Sequence, residues 1–238
     1  MNIPRKYRIL LAEDDPNLSS VLADYFELLG YDCNVAPDGE SGIHLFNKQQ
    51  FDLCVLDVMM PRKDGFTLAC EIREKDKTTP IIFLTAKGLE EDRIKGFRLG
   101  CDDYIIKPFS SEELSLRIEA VLRRCYIPKE ENIRNIFPIG IYAFDIQNRI
   151  LDNGVKKQKL THKEASLLQL LCENKNTLVT RENALKKIWG SNDYFLGRSM
   201  DVFIARLRKY LKEDSSINLI TMHGIGFLLE IPENNLSI

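Results

Sequence analysis

No apolar stretch in these 238 residues approaches the roughly 18–20 needed for a membrane-spanning helix, so no such helix is expected. The N-terminus, Met1-Asn2-Ile3-Pro4-Arg5-Lys6, lacks the apolar core and cleavage site of a secretory leader, and a cytoplasmic location is expected. None of the six cysteines (Cys33, Cys54, Cys70, Cys101, Cys125, Cys172) forms a Cys-x-x-Cys pair, and the three histidines do not cluster with them. A zinc site is therefore disfavoured, and reduced core thiols are expected. No G-x-G-x-x-G or Walker A pattern follows the first strand-like segment. Three acidic residues stand there instead, and they would repel a bare phosphate.

A hydrophobic content of 44% with 29% charged residues fits a water-soluble globular chain of one large or two ordinary domains. The net charge of −2 conceals an asymmetry. Up to Ile133 there are 18 Lys and Arg against 24 Asp and Glu, a net of −6. From Arg134 onward there are 15 against 11, a net of +4. An acidic half joined to a basic half suggests two domains, with nucleic acid a candidate partner for the second.

In the first half, apolar runs alternate with segments of helical spacing. Strands are predicted over Tyr7–Ala12, Tyr31–Ala36, Leu53–Asp57, Ile81–Leu84 and Tyr104–Ile106. Helices are predicted from Pro16, over Gly39–Lys48, around Phe66–Glu74, over Leu89–Leu99 and over Ser111–Arg124. Strict alternation implies a doubly wound α/β layer with a five-stranded parallel sheet. Such sheets bind ligands at the C-terminal strand edge. That edge carries Glu13-Asp14-Asp15, Asp57, Thr85 and Lys107.

Several carboxylates together repel one another and invite a divalent cation, and Mg²⁺ takes a few oxygens while keeping its waters. A metal, an ammonium and a hydroxyl around one free carboxylate are what a migrating phosphoryl group requires. Asp57 would be the nucleophile, forming an aspartyl phosphate. Asp14 would bind Mg²⁺ directly, Glu13 through water, and Met59 through its backbone carbonyl. Lys107 and the Thr85 hydroxyl would each meet a phosphoryl oxygen. Plainer readings exist for each residue: solvated or capping loop carboxylates, Thr85 as a helix N-cap, Lys107 as a surface lysine. Four strand ends carrying one theme argue against taking them all that way. An aspartate-nucleophile phosphatase would need a second aspartate where Met59 stands.

With Glu13-Asp14-Asp15, Asp57, Thr85-Ala86 and Lys107-Pro108-Phe109 in place, residues 7 to 124 resemble the receiver domain of two-component response regulators. The resemblance implies a flavodoxin-like fold, a sensor histidine kinase as phosphoryl donor, and Mg²⁺ as cofactor. It also implies a cis Lys107–Pro108 bond and a switch in which Thr85 moves toward the phosphoryl group while Tyr104 turns inward. Leu84 to Arg124 are similar to the OmpR/PhoB subfamily, whose active receivers form homodimers. Lys87, Arg93, Asp102, Asp103, Glu113, Arg117 and Arg124 match its charged interface positions. At two more of them the usual signs are reversed together, giving Arg98 and Glu119, as if one ion pair had exchanged polarity. Two unrelated solvated charges would look the same.

A polar, aperiodic stretch containing Pro128 reads as a linker, with domains expected at 5–125 and 137–233 and the linker at 126–136. Beyond it, short alternating runs broken at Gly140, Asn148 and Asn153-Gly154 read as a small antiparallel sheet. Thr161-His162-Lys163-Glu164 reads as a capping box opening a helix. Thr180 and Arg181-Glu182 open another, and Ser191–Gly197 reads as a loop. A third helix, about Arg198–Glu213, has a core stripe of Met200, Ile204, Leu207 and Leu211. Its opposite face carries Arg198, Val202, Ala205 and Lys209, with Arg206, Arg208 and Asp201 on the flanks. A basic face suits a major groove, and equally a solvated surface. A hairpin across His223-Gly224-Ile225-Gly226 closes the pattern.

Residues 138 to 232 resemble the α+β winged helix-turn-helix DNA-binding domain of the same subfamily. Leu160-Thr161-His162-Lys163-Glu164, Ile188-Trp189-Gly190, Arg206-Leu207-Arg208-Lys209 and Gly224-Ile225-Gly226-Phe227 carry the match. It implies double-stranded promoter DNA as partner, Arg206 at base edges, and Arg198, Arg208 and Lys209 mostly on phosphates. Phe203 and Ala205 stand where relatives often carry DNA-touching residues, and His223 replaces a frequent wing arginine. Ser191–Gly197 matches the region that meets RNA polymerase. The expected function is phosphorylation-dependent transcriptional regulation through repeated half-sites, not enzyme turnover. The alternatives are a phosphoryl-transfer enzyme and a regulator active without phosphorylation.

Overall fold

The computed structural model describes residues 6–86, 90–126, 136–189 and 194–232, with the side chains of 90–93 and 194–199 left out. The chain divides into two compact units, residues 1–129 and 130–238.

The first unit runs β1 Arg8–Ala12, α1 Pro16–Leu28, β2 Asp32–Ala36, α2 Gly39–Lys48, β3 Leu53–Asp57, α3 Gly65–Lys75, β4 Ile81–Thr85, α4 Glu90–Arg98, β5 Asp103–Ile106 and α5 Ser111–Tyr126. All strand pairs are parallel, in the order β2-β1-β3-β4-β5, the flavodoxin-like order. β3 and β4 are buried along their whole length, which is why they read as unbroken apolar runs. One sheet face presents Ile9, Leu11, Val55, Ile82 and Leu84 to Leu22 and Phe26 of α1 and Leu114 and Ile118 of α5. On the other, Phe83 meets Phe66 of α3 edge-on at 5.0 Å.

Aspartates begin three of the helices, because a carboxylate satisfies first-turn amides that have no partner within the helix. Asp15 accepts from Asn17 and Leu18, Asp38 from Ser41, and Asp64 from Thr67. Ser110 accepts from the Glu113 amide at the start of α5. That helix continues past the expected Arg124 to Tyr126, whose hydroxyl donates to the Asp52 carbonyl and whose ring meets Tyr7 at 5.6 Å. Of the expected linker, 127–135 lie outside the described residues, and Ile136 already belongs to a strand.

The second unit begins with four antiparallel strands, β6 Ile136–Ile139, β7 Tyr142–Asp145, β8 Ile150–Asp152 and β9 Lys157–Lys159, paired in sequence order. Then follow α6 His162–Glu173, β10 Leu178–Thr180, α7 Arg181–Trp189, α8 Tyr194–Leu211, β11 Asn218–Met222 and β12 Gly226–Glu230. The last three strands form an antiparallel sheet, β10-β12-β11. This is the winged helix-turn-helix architecture, with β11 and β12 as the wing.

Three features depart from expectation. β10 has no sequence signature, being three residues long and held by pairing to Gly226–Leu228. α8 starts at Tyr194, so residues 194–197 are helical rather than loop, and 190–193 lie outside the described residues. Phe203, expected where relatives touch DNA, is fully buried, its ring 5.8 Å from that of Trp189. The six cysteines are all free thiols, as expected, but of these only Cys54, Cys101 and Cys172 are buried, with Cys33 and Cys125 half-buried and Cys70 exposed.

Candidate functional site

Parallel pairing sends every β-strand of the first unit toward one edge, and the polar tips meet there. Glu13 follows β1, its amide donating to the Ala36 carbonyl of β2, and its side chain is buried. Asp57 ends β3, almost buried, and Thr85 ends β4, fully buried. Carboxylate oxygens of Glu13, Asp14 and Asp57 lie within 4.8 Å of one another. Lys107, just after β5, enters this group. Its Nζ donates to Glu13 at 2.7 and 2.9 Å and to Asp57 at 2.6 Å. The Lys107 amide donates to the Thr85 carbonyl at 2.7 Å, and the Lys107–Pro108 bond is cis, as expected.

Three carboxylates against one ammonium leave the group negative. Burial pushes the Glu13 carboxyl up to about 7, the Lys107 hydrogen bond pulls it down, and the Asp57 charge adds to the rise. Burial alone would lower the Lys107 pKa, but its hydrogen bonds to Asp57 and Glu13 more than reverse that, so it stays charged. All the metal-competent donors are hard oxygens, which fits Mg²⁺ and disfavours softer metals. Met59 is half-exposed, and its amide donates to Asp57 Oδ1 at 2.9 Å.

The segment after Asp57 is held from two directions that sequence reasoning missed. Gly65 lies so close to the chain that an added Cβ would stand 2.0 Å from the Asp57 carbonyl, and only glycine fits. Arg62, at φ +64°, pairs with the buried Asp38, which also caps α2. Asp38 is legible in sequence as an N-cap, but its tie to Arg62, 24 residues on, is not.

Tyr104 has its ring buried, 6.1 Å from that of Phe83. A Cβ on Gly96 of α4 would touch it at 3.3 Å. The ring thus lies on the inside of the domain, between Phe83 and α4.

The expected interface residues separate into groups. Arg117 on α5 binds Asp103 at 3.1 Å and Glu113 at 3.0 Å on the surface. Arg98 and Glu119 are exposed on α4 and α5. The Arg124 Nε donates to the Ala120 carbonyl. Ile106 and Leu116 add exposed apolar surface to β5 and α5. Lys87 lies outside the described residues, and Arg93 is described only as part of α4. Asp102 is a correction. It is buried, accepts from the Ile81 amide at 3.0 Å and lies 3.8 Å from Arg73, so it cannot present a charge to another molecule.

In the second unit, Thr161 and Glu164 form the expected capping box of α6. Glu164 does more than cap. From its buried position it accepts from Arg206 at 2.9 Å and from the Tyr210 hydroxyl at 3.3 Å, both on α8. Burial pushes the Tyr210 hydroxyl up to about 12, with the Glu164 charge adding to it. Arg206, expected at base edges, therefore has an internal partner and braces α8 against α6. Arg208 donates to the Leu219 carbonyl at 2.7 Å and to Thr221 Oγ1 at 2.6 Å, tying α8 to β11. Lys209 is exposed on α8 and His223 is exposed in the turn between β11 and β12. Arg198 lies in α8, described without its side chain.

Comparison with known proteins agrees with both units. Residues 9–119 match the family model of the response regulator receiver domain, and 155–229 that of the transcriptional regulatory protein C-terminal domain. The chain is 52% identical over 233 residues to the transcriptional regulatory protein RprY of Bacteroides fragilis, covering 98% of each. It is 37% identical over 223 residues to the uncharacterized transcriptional regulatory protein YclJ of Bacillus subtilis, covering 92% of this chain and 97% of that one. A mutant of RitR aligns over 95% of this chain and 100% of its own with a TM-score of 0.72. At 24% identity, that likeness speaks for the fold alone.

Proposed function

The chain belongs to the OmpR/PhoB family of two-component response regulators, and on that premise we propose that phosphoryl transfer to Asp57 controls its binding to promoter DNA. It is a transcriptional regulator with a receiver domain and a DNA-binding domain. The observation that supports phosphoryl control is Lys107, whose ammonium lies 2.6 Å from Asp57 among three carboxylates at the sheet edge.

The donor is a phosphohistidine of a sensor kinase. An Asp57 carboxylate oxygen attacks the phosphorus, a P–O bond forms, and the P–N bond to the histidine breaks. Lys107 turns from Asp57 to an incoming phosphoryl oxygen, keeping its charge throughout. The Thr85 hydroxyl meets a second oxygen, and the Met59 amide holds the Asp57 carboxylate in place. Asp14, Asp57 and the Met59 carbonyl would hold Mg²⁺, with Glu13 through water, and the ion supplies the neutralisation that the phosphoryl charge needs.

Phosphorylation then shifts the receiver toward a homodimer through α4, β5 and α5. Dimerisation raises the effective concentration of two DNA-binding domains at repeated half-sites in the cytoplasm. In the second domain, α8 enters the major groove, Arg198 and Lys209 meet phosphates, and His223 approaches from the wing. The start of α8, with the segment before it, meets RNA polymerase. The domains divide between Tyr126, the last residue of α5, and Ile136, the first of β6.

Incubating the chain with acetyl phosphate should give hydroxylamine-sensitive phosphorylation that chelation of Mg²⁺ and Asp57→Asn each abolish, read by intact mass. Uptake by Asp57→Asn would overturn the assignment. A second reading, DNA binding that ignores phosphorylation, is favoured by the inward Tyr104 ring. Equal DNA affinity with and without the phosphoryl group would establish it.

A further inference from the structure

Among the described side chains of α8, the middle of the exposed stripe carries no group able to hydrogen-bond a base. Ala205 is exposed and Val202 half-exposed, three residues apart on the face opposite the buried Met200, Phe203, Ile204 and Leu207. The polar side chains nearest them are engaged within the protein. Asp201 pairs with Arg181 at 2.6 Å, Arg206 with Glu164 at 2.9 Å, and Arg208 with Leu219 and Thr221 of β11. Lys209, one turn beyond Ala205, is the exposed cation of this stripe among the described side chains.

Val202 and Ala205 can neither donate nor accept a hydrogen bond. They cannot distinguish the donor and acceptor patterns by which guanine, adenine and cytosine are read in the major groove. The groove wall carries one apolar feature, the C5 methyl of thymine, and small apolar side chains are its natural contact. Neither side chain is long, so the helix backbone must come close to the bases, which the lack of bulk at Ala205 permits.

We infer that Val202 and Ala205 read thymine methyl groups, which makes each half-site dependent on thymine at the base pairs facing the middle of α8. This specificity rests on the reading of α8 as the helix that enters the major groove. Arg206 acts as a positioning residue, fixing through Glu164 the depth at which the stripe meets the DNA.

The test uses the full phosphorylated chain and a duplex selected for binding from random sequence. Each thymine of the half-site is replaced singly by deoxyuridine, which removes the methyl and leaves every hydrogen-bonding group in place. Affinity is read by fluorescence anisotropy. One or two positions should lose about fourfold, the worth of one buried methyl. Val202→Ala or Ala205→Ser should erase the thymine–deoxyuridine difference at one of those positions, with the far-ultraviolet circular dichroism of the chain unchanged. Selective binding that no deoxyuridine weakens would overturn this inference and leave DNA binding standing. A methyl effect that both variants preserve would overturn the residue assignment. Failure to select any duplex would overturn it together with the DNA-binding reading.

Discussion

The Asp102 carboxylate accepts from the Ile81 amide at 3.0 Å, beside the Arg73 guanidinium, which itself donates to the Thr79 and Gly100 carbonyls. Removing it leaves the buried Ile81 amide without its acceptor and takes the nearby opposite charge from a largely buried guanidinium. Asp102→Ala should cost about 3 kcal/mol, read by urea unfolding, because breaking one side of a buried pair leaves the other uncompensated. An interface residue would instead leave stability unchanged and weaken only association. Asp76 makes a pH prediction. Burial alone would raise its carboxyl, but hydrogen bonds from the Thr78 and Thr79 hydroxyls and amides outweigh that and hold it below its ordinary value of 3.8. A folded-state pKa lowered in this way contributes stability above the unfolded value and loses it as pH falls through the folded one. Asp76→Asn should therefore unfold more easily than the wild type at neutral pH. The gap should close as pH drops below 3.8, measured by thermal melting across that range.

Between elements, Glu164 carries two duties. It completes the capping box of α6 through the Thr161 amide at 2.8 Å, and it holds Arg206 and Tyr210 of α8. Thr161→Ala should cost about 1 kcal/mol, the usual worth of an N-cap. Glu164→Ala should cost roughly 3 kcal/mol, since it also removes an acceptor from both the Arg206 guanidinium and the Tyr210 hydroxyl. Because α8 loses its brace, DNA affinity should fall in Glu164→Ala by more than in Thr161→Ala, a comparison that anisotropy reads directly. The capping box is legible in sequence because its partners are three residues apart. The Glu164–Arg206 pair spans 42 residues, and nothing local announces it. The same distinction runs through the first unit. Strands buried on both faces read as apolar runs, and strict alternation sends their tips to one edge, so Asp57, Asp14 and Lys107 could be grouped from sequence. The burial of Asp102 could not, because a surface carboxylate and a buried one spell alike. β10 could not either, being three residues held by a partner strand. The burial of Phe203, read as standing where relatives touch DNA, could not be told from sequence for a related reason. Its helical position lies off the stripe read as core, yet its ring is fully buried and packs against Trp189.

At the scale of the assembled molecule, the reversed pair Arg98 and Glu119 tests how copies find one another. Both are exposed, one on α4 and one on α5, and β5 and α5 also carry the Arg117 cluster and the exposed apolar side chains Ile106 and Leu116. A twofold dimer repeats every contact, so Arg98 of each copy would meet Glu119 of the other and the pair would occur twice. A single exposed pair contributes up to about 1 kcal/mol, and two of them set roughly a tenfold difference in dimer affinity. Arg98→Glu should therefore weaken phosphorylation-dependent dimerisation about tenfold, as read by sedimentation. Arg98→Glu combined with Glu119→Arg should restore it, since the exchange rebuilds the pair with opposite polarity. The single variant should recover some affinity in high salt, where screening softens the new Glu–Glu repulsion, whereas the wild-type dimer should weaken. Two unrelated solvated charges would give no rescue and no opposed salt response. Rescue would also explain the point of the reversal. Each like-charged mixed contact would penalise pairing with a relative that keeps the usual polarity, which separates this chain's signal from others without altering the chemistry at Asp57.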